Sequence, residues 1–323
     1  MASLNTEYGV IVGVINEEFD QDGNIKECMV TEYNQLKTDY GYLVPKYGES
    51  SLRSKFVKSL SFYTSGKLKS IYLEEPTQVI TSIGILPAEL ITFYENGGIH
   101  RLFPLNGRIS GYWSEEEEYN LASEISLTIQ SKNICSKFMS IQFYDSQAIK
   151  SITLWRKNEI QLTSLYGMIK TNIGFSLYED GRLKSIEPKY PMDIPTPIGR
   201  LKAYDTTKLG IHADQNSLCF YENQQIKSLK SVTDVIEVTS ETGYVSQYTP
   251  FFVRNLLNPE EFSIEPITMT FEENTVRIKG YNQGEGIFSL ENSSFNIKKL
   301  QEVITDLTYA CGDCAFCDKC RIH

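Results

Sequence analysis

A ten-residue pattern of hydrophobic and polar positions recurs along the chain. Each copy opens with a large apolar residue, usually followed by Tyr, then runs through a polar stretch to an aliphatic residue and Lys-Ser-Ile or a variant of it. The copies begin at Phe19, Phe62, Phe93, Phe143, Leu177 and Phe220. Aromatic and aliphatic residues of these types favour strands, and Asp22-Gly23 or Asn96-Gly97 accepts the positive φ of a tight turn. The pattern therefore predicts a strand, a tight turn and a second strand in each copy.

A second signal follows most copies at a nearly constant distance. A Thr-initiated segment ending in Gly begins 19 or 20 residues after the start of five copies, at Thr38, Thr81, Thr163, Thr196 and Thr239. We expect a third strand and a Thr-initiated turn in those units; the copy that begins at Phe93 lacks this second signal. The turns at Ser146-Gln147 and Asn223-Gln224 lack glycine, so we expect them to be looser.

Repetition of this kind determines the architecture. One hairpin cannot bury its own aromatic face, but stacked neighbours can. We predict a mainly β fold: a β-hairpin array, in a sheet or a solenoid, with a few short helices and a C-terminal helix. The aromatic pairs are interpreted as core rather than as a ligand-binding stripe, and the repeated Lys is expected to face solvent. The predicted divisions are a hairpin array over 1–245, a β-rich capping region over 246–294, and a helix with a Cys-rich tail over 295–323. Within the capping region we expect further strands over 262–291.

An acidic helix is predicted between two copies, over residues 115–123. Ser114 and Glu117 have the spacing of a capping box, in which each side chain bonds the other residue's backbone amide. Four consecutive Glu residues in the first turn suit the helix dipole. We interpret this helix as a solvated insertion rather than as a metal-binding acidic patch.

Two more helices are predicted towards the C-terminus. Thr249 as the N-cap and Pro250 at the first helical position predict a helix over 249–257. The second is predicted over 295–309 because apolar residues fall there at helical spacing, namely Ile297, Leu300, Ile304 and Leu307.

The third copy resembles a known repeat family. The segment Phe93-Tyr94-Glu95-Asn96-Gly97-Gly98, followed by Gly107 and Gly111-Tyr112-Trp113, is similar to MORN repeats and to their bacterial YwqK-type relatives. In a diluted form the resemblance covers residues 19–243. It implies a β-hairpin array used as a scaffold or interaction surface, and it implies no catalytic residues.

Charge and composition narrow the choice of partner. The formal net charge is −10 and the sequence pI is about 5.0, which argues against nucleic acid and anionic membranes and favours a protein partner. No apolar run is long enough to span a bilayer, and the N-terminal residues do not resemble a signal peptide. Seven cysteines, four of them bunched together, do not resemble a secreted disulfide framework, so we expect a reducing cytoplasm.

Four cysteines close to the end of the sequence form the strongest chemical signal. Cys311, Cys314, Cys317 and Cys320 are spaced C-x₂-C-x₂-C-x₂-C. Thiolates bind zinc or iron–sulfur clusters, and structural zinc usually takes two pairs separated by a longer loop. The first three cysteines resemble the run that binds a [4Fe–4S] cluster in bacterial ferredoxins, which favours a cluster over zinc and over a metal-free thiol tail. The fourth ligand is left open among Cys320, His323, Cys28, Cys135, Cys219 and a partner's group. The isolated cysteines Cys28, Cys135 and Cys219 are interpreted as buried apolar residues rather than as ligands, with Cys28 and Cys219 in the sheet.

The function predicted from these features is a non-enzymatic scaffold with a metal-binding tail. None of the motifs G-x-S-x-G, phosphate loop or H-E-x-x-H occurs. One alternative is a redox or metallocofactor-maturation accessory protein that acts through the Cys tail. The other, which follows from the YwqK resemblance, is an antitoxin-like or immunity-like binding module. The sequence does not predict the oligomeric state.

Overall fold

The computed structural model describes residues 2–48, 51–53, 57–106, 111–206, 216–254 and 262–301. These residues form strands along most of their length, with a single short helix in the described part. The predicted mainly β class is therefore confirmed. Residues 302–323, which include most of the predicted C-terminal helix and all four tail cysteines, lie outside the described residues.

The elements up to residue 171, in the part of the chain just defined, are these: β1 (Ala2–Thr6), β2 (Gly9–Phe19), β3 (Ile25–Val30), β4 (Leu36–Thr38), β5 (Gly41–Leu43), β6 (Leu60–Phe62), β7 (Leu68–Thr81), β8 (Gly84–Phe93), β9 (Ile99–Phe103), α1 (Glu115–Leu121), β10 (Ile125–Ile129), β11 (Lys132–Ser136), β12 (Phe138–Phe143), β13 (Ile149–Leu154), β14 (Ile160–Ser164) and β15 (Gly167–Thr171).

The elements that follow, again as described, are these: β16 (Gly174–Leu177), β17 (Leu183–Ile186), β18 (Met192–Thr196), β19 (Gly199–Ala203), β20 (Leu218–Phe220), β21 (Ile226–Ser231), β22 (Asp234–Thr239), β23 (Val245–Tyr248), β24 (Phe251–Arg254), β25 (Phe262–Glu265), β26 (Ile267–Phe271), β27 (Thr275–Gly280), β28 (Gly284–Ser289) and β29 (Ser294–Lys299).

The chain divides into two compact units. The first contains Met1–Ile160, Asn172–Leu183 and Gly210–Asp214, and the second contains Gln161–Thr171, Lys184–Leu209 and Gln215–His323. In the described residues of the first unit, a large sheet has the strand order β1-β2-β3-β6-β7-β8-β9-β12-β13-β16. In those of the second unit, the order is β17-β20-β21-β26-β27-β28. Each sheet is a succession of antiparallel hairpins, as the repeat predicts.

The core of each unit is built from the first apolar residue of the copies. Phe62, Phe93 and Phe143 are at most 4% exposed in the first unit, and Phe220 is 1% exposed in the second. Fully burying one such side chain contributes about 1.5–3 kcal/mol, so this column of rings stabilises the array strongly. The first copy differs, because Phe19 is 60% exposed.

Small hairpins with Thr-initiated turns accompany the large sheets. The hydroxyl of residue 1 of the turn donates to the carbonyl of residue 4, a glycine with positive φ, and accepts from the amide of residue 3. The donors and acceptors are Thr6–Gly9 (2.8 Å), Thr38–Gly41 (2.8 Å), Thr81–Gly84 (2.7 Å), Ser164–Gly167 (2.9 Å) and Thr196–Gly199 (2.6 Å). The predicted turns at Thr38, Thr81 and Thr196 are confirmed.

The other predicted turns differ in detail. In the unit that begins at Phe143, the hydroxyl belongs to Ser164 rather than to Thr163. Near Thr239 the turn is closed by backbone bonds between Ser240 and its neighbours, with the Gly243 amide donating to the Ser240 carbonyl at 2.9 Å. Thr6–Gly9 forms a turn of the same kind that the 19-residue spacing does not reveal, because it precedes the first copy.

The acidic helix forms where the capping box predicts it. In α1 the Ser114 hydroxyl accepts from the Glu117 amide at 3.2 Å, and the Glu117 carboxylate accepts from the Ser114 amide at 2.8 Å. The interpretation of α1 as a solvated insertion is wrong in one respect. Glu118 is completely buried and engaged with other elements, as described below.

Two helix predictions near the C-terminal end of the described chain are wrong where the structure has strands instead. Phe251–Arg254 is strand β24, paired with β25, within the helix predicted over 249–257. Ser294–Lys299 is strand β29, paired with β22, so the helix predicted over 295–309 is wrong for 295–299, whereas Leu300 and Gln301 are helical. Phe, Val and Ile favour strands, and pairing with a partner strand outweighs the capping pattern at 249–250 and the helical spacing at Ile297. The parts 255–257 and 302–309 lie outside the described residues.

A further hairpin, with a turn one residue shorter than in the repeated copies, follows in the second unit. β26 ends at Phe271, and the Glu272 amide donates to the Thr275 carbonyl at 2.9 Å before β27 begins. The sequence predicts strands over 262–291, and β25 to β28 confirm them. The similarity of Phe271-Glu272-Glu273-Asn274 to the other copies is obscured because Glu272 stands where they have Tyr.

Candidate functional site

The repeated turns have one geometry, with or without glycine. In the second copy, the Tyr63 amide donates to the Lys67 carbonyl at 2.8 Å, and the Gly66 amide donates to the Tyr63 carbonyl at 2.9 Å. The same two bonds occur where Gln147 and Gln224 replace the glycine, each with φ of 66°. The prediction of looser turns at these two copies is therefore wrong. Both hydrogen bonds outweigh the cost of a left-handed residue, which is about 1–2 kcal/mol.

The second residue of the copies forms a ladder of tyrosines. Each hydroxyl donates to the carbonyl oxygen of the apolar residue that opens the next copy. In the first unit these bonds are Tyr63–Phe93, Tyr94–Phe143 and Tyr144–Leu177, all 2.8 Å long, and in the second unit Tyr221–Phe271 at 2.6 Å. We call Tyr63, Tyr94, Tyr144 and Tyr221 the tyrosine ladder. These rings are half-buried, so the core interpretation of the aromatic pairs holds fully only for the first member.

Burial affects the acidity of the ladder. Desolvation raises the pKa of Tyr63, Tyr94 and Tyr144 above the ordinary tyrosine value, because removal from water disfavours the phenolate. Negative neighbours add to the effect, with Glu95 acting on Tyr63. The hydroxyls are therefore protonated donors at neutral pH, as their bonds to carbonyl oxygens require.

A cationic or imidazole side chain lies over each ladder ring. The Nζ atoms of Lys69, Lys150 and Lys227 lie 5.6 Å from the ring centres of Tyr63, Tyr144 and Tyr221, respectively. His100 occupies this position in the third copy, with its ring centre 4.7 Å from that of Tyr94. Lys69 and Lys227 are exposed, as predicted, whereas Lys150 is half-buried. Each lysine contact contributes about 0.5–1 kcal/mol at a site of this exposure.

Hydrogen bonds also join successive turns in the first unit. The Ser65 hydroxyl donates to the Glu95 carboxylate at 2.7 Å, and the Ser146 hydroxyl donates to Glu179 at 2.9 Å. Between them, the Asn96 amide donates to Asp145. The turn edge is thus a regular row of polar contacts with the tyrosine ladder beside it.

A second set of tyrosines was not recognised from the sequence. Tyr8, Tyr40 and Tyr166 lie in the Thr- or Ser-initiated turns, and their hydroxyls accept from the amides of Leu68 (2.9 Å), Ile99 (3.0 Å) and Ile226 (2.9 Å). The separations in sequence are 60, 59 and 60 residues. That constant offset between a T/S-x-Y-G turn and a later hairpin is the signal that could have revealed them.

A polar cavity of about 380 Å³ lies beside two of these tyrosines in the first unit. Its lining includes Tyr8, Tyr40 and Lys67. Lys67 donates to Glu7 at 2.6 Å, which lowers the pKa of Glu7 and raises that of Lys67. Burial raises the pKa of both Tyr8 and Tyr40.

The first copy interrupts the ladder, because Asp20 stands where the later copies have Tyr. Its carboxylate accepts from the Asn24 amide at 2.8 Å and the Asp22 amide at 3.0 Å, which lowers its pKa. A cavity of about 470 Å³ lies beside it, which we call the notch. The notch is lined by Phe19, Asp20, Gln21, Ile25, Lys26, Phe62, Tyr63, Thr64 and Lys69.

A buried ionic cluster connects α1 to the large sheet of the first unit. The Arg53 guanidinium donates to Glu89 at 2.6 and 2.7 Å and to Glu118 at 2.7 and 2.9 Å. Trp113 Nε1 also donates to Glu118, at 2.8 Å. These bonds, first those from Glu89, raise the pKa of Arg53 above its ordinary value. One guanidinium is shared by two carboxylates, and the bonds join α1 to the sheet, so we interpret the cluster as a packing contact.

The four predicted metal ligands, Cys311, Cys314, Cys317 and Cys320, lie outside the described residues. His323, a candidate for the fourth ligand, lies outside them as well. Cys28 is buried, which raises the pKa of its thiol to about 12, and Cys219 is half-buried, in line with the prediction that both lie in the sheet. Cys135 is exposed on β11, so the interpretation of it as a buried apolar residue is wrong. Among the described residues, no group of three His, Cys, Asp or Glu side chains could hold a metal ion.

Comparisons with known proteins were made at three levels. No family model, curated protein or solved structure matches this chain. Among the described residues, no helix has the length and apolar character needed to cross a membrane.

Proposed function

We propose that this chain is a non-enzymatic repeat scaffold that binds a protein partner through the tips of its Thr-initiated hairpins. The observation that carries the proposal is an exposed apolar pair at the longest of these hairpins. Ile80 and Ile85 face each other across β7 and β8 and are 70% and 65% exposed. On the opposite face of the same strands, Val79 and Leu86 are buried. One face of the hairpin is therefore packed into the core, and the Ile80–Ile85 pair faces outward.

Other tips repeat this exposure. Leu165 in the second unit is 70% exposed beside Met168, and Tyr42 in the first unit is 60% exposed. Burying one aliphatic side chain of this size contributes about 1.5–3 kcal/mol, so a partner that covers the Ile80–Ile85 pair gains substantial affinity. The regular ladder and paired ionic cluster support a rigid platform, which limits the entropy lost on binding.

Photo-crosslinking in the native host tests this proposal. A benzophenone amino acid at Ile80 is expected to capture one polypeptide, and an Ile85→Asp change in the same chain is expected to abolish the capture. The matched control places the benzophenone at Asn133, an exposed polar position on another hairpin of the first unit. Identical products from both positions, unaffected by Ile85→Asp, would contradict the proposal.

We further propose that the tail holds an iron–sulfur cluster or zinc through Cys311, Cys314, Cys317 and Cys320. The support is the four-thiol spacing alone. Anaerobically purified full-length chain is expected to contain iron and sulfide, or zinc, in near-stoichiometric amount, and a Cys314→Ala/Cys317→Ala variant is expected to lose them. Metal content unchanged in that variant contradicts the site.

The same variant separates a passive metal site from a redox or maturation role. If the variant retains its partner but the partner loses activity, the accessory role is favoured over the pure scaffold. The MORN resemblance and the antitoxin-like role are interpretations. Identification of the partner tests the antitoxin-like role.

A further inference from the structure

The tyrosine ladder lacks a tyrosine in the first copy, where Asp20 stands. In the three ladder bonds of the first unit, a hydroxyl meets the carbonyl of the apolar residue that opens the next copy. By the same rule, a tyrosine at position 20 would donate to the carbonyl oxygen of Phe62. Asp20 instead bonds the amides of its own turn. Within the described residues, no side chain donates to the Phe62 carbonyl.

The space for the missing ring is the notch. Its volume of about 470 Å³ lies within the range of sites that hold small organic groups. Phe19 and Ile25 provide apolar walls, and Phe19 is 60% exposed where its counterpart Phe62 is 3% exposed. An apolar wall left open in this way is stabilised when a ring covers it.

The cation that accompanies each ladder ring is also in place. Lys26 follows Ile25 as Lys69 follows Leu68, so it occupies the repeat position from which Lys69 lies over Tyr63. The Lys26 ammonium makes no hydrogen bond or ion pair with another described residue. A phenol ring in the notch would therefore meet a cation, a carbonyl acceptor and an apolar wall, as the ladder tyrosines do.

We propose that the notch binds a tyrosine side chain presented by the protein partner of the scaffold. The hydroxyl donates to the Phe62 carbonyl, the ring covers Phe19 and Ile25, and Lys26 lies over the ring. Lys26 and Lys69 favour acidic residues beside that tyrosine. This inference rests on the proposed scaffold function, and it names the chemistry that the partner presents.

Matched amino-acid amides test the notch in the full-length chain. The methyl signals of Ile25 are followed by NMR during titration with N-acetyltyrosinamide and with N-acetylphenylalaninamide, which lacks only the hydroxyl. We expect saturable shifts from the tyrosine compound and affinity about fivefold weaker for the phenylalanine compound, which is the effect of one net hydrogen bond. In Asp20→Tyr the new tyrosine of the chain itself is expected to fill the notch and abolish the shifts. Asp20→Asn leaves the notch open and should preserve them.

A second variant makes the test independent of whether the Asp20→Tyr variant folds correctly. Lys26→Gln changes one exposed side chain and should weaken the tyrosine compound about threefold through the lost cation–π contact. Equal affinity for the two amides, or full binding in Asp20→Tyr, overturns the proposal. So does a wild-type dimer that Asp20→Tyr dissociates in sedimentation, because the occupant is then a second copy. Crosslinking from Ile80 does not involve the notch, so failure here leaves the scaffold proposal separately testable.

Discussion

Replacing Arg53 by Met tests the ionic cluster that joins α1 to the large sheet. The change removes the guanidinium while keeping most of its apolar stem. It leaves two carboxylates without their partner, those of Glu89 and Glu118, whose side chains are 7% and 0% exposed. Breaking a buried ion pair from one side costs about 3–5 kcal/mol, because the remaining charge stays desolvated. The Arg53 side chain is 18% exposed, so we expect a loss of about 3 kcal/mol, at the lower end of that range.

The two tryptophans of the chain make this loss measurable near the cluster. Trp113 donates to Glu118, and Trp155 is buried in an apolar group with Leu105 and Ala122. Urea unfolding followed by tryptophan fluorescence therefore reports on the region around α1. With a denaturant slope of about 2 kcal/mol/M, the midpoint should fall by about 1.5 M in Arg53→Met.

The matched control is Lys157→Met on an exposed ion pair of the same helix. Lys157 lies 2.6 Å from Glu116, but the two side chains are 51% and 70% exposed. Exposed pairs contribute at most about 1 kcal/mol, so the midpoint should barely move. Adding Glu89→Gln and Glu118→Gln to Arg53→Met should recover part of the loss by removing the uncompensated charges. Equal midpoints for Arg53→Met and Lys157→Met would refute the reasoning.

Three further predictions concern the repeats. Tyr94→Phe removes one ladder bond and should lower the free energy of unfolding by about 1 kcal/mol in thermal unfolding. The control Tyr190→Phe, at a 60% exposed ring, should change it by less than about 0.5 kcal/mol. A larger loss in Tyr190→Phe than in Tyr94→Phe would contradict a stabilising role of the ladder bond. Because burial raises the pKa of Tyr63, Tyr94 and Tyr144, their stabilising effect is complete below pH 10.0 and is lost as the pH rises through the raised values. The free energy of unfolding of the wild type should therefore exceed that of the triple Phe variant at neutral pH and approach it as the pH rises above 10.0, and a difference that stays constant with pH contradicts this. Ser131, with φ of 60° in the β10–β11 turn, should tolerate glycine with a gain of about 0.5–1 kcal/mol, and lower stability of Ser131→Gly contradicts that reading of the turn.

Local features of the chain were predictable because their causes lie within a few residues. Asp22-Gly23 and Asn96-Gly97 determine their turns through backbone preference, and Ser114 with Glu117 caps α1 through neighbouring amides. The periodic apolar residues predicted the strands for the same reason. The Gln147 turn was the exception: the missing glycine predicted a looser turn, but the same two backbone bonds form there as in the other copies.

Features that depend on distant partners were not predictable from local pattern. β29 pairs with β22, about 60 residues earlier, and that pairing overrides helical spacing at Ile297. Arg53 and Glu118 are 65 residues apart, so the acidic stretch gives no sign that its last Glu is buried. The ladder itself was visible as a repeated Tyr, but its bonds to the next copy require the register of the strands.

Hydrogen–deuterium exchange on the purified complex of the chain with its crosslinked partner tests the central claim most directly. The account predicts slower amide exchange at the β7–β8 tip around Ile80 and Ile85 in the complex than in the free chain, with β10–β11 unchanged. Protection confined to β10–β11, or exchange unaltered at Ile80 and Ile85, would show that the hairpin tips are not the partner-binding surface.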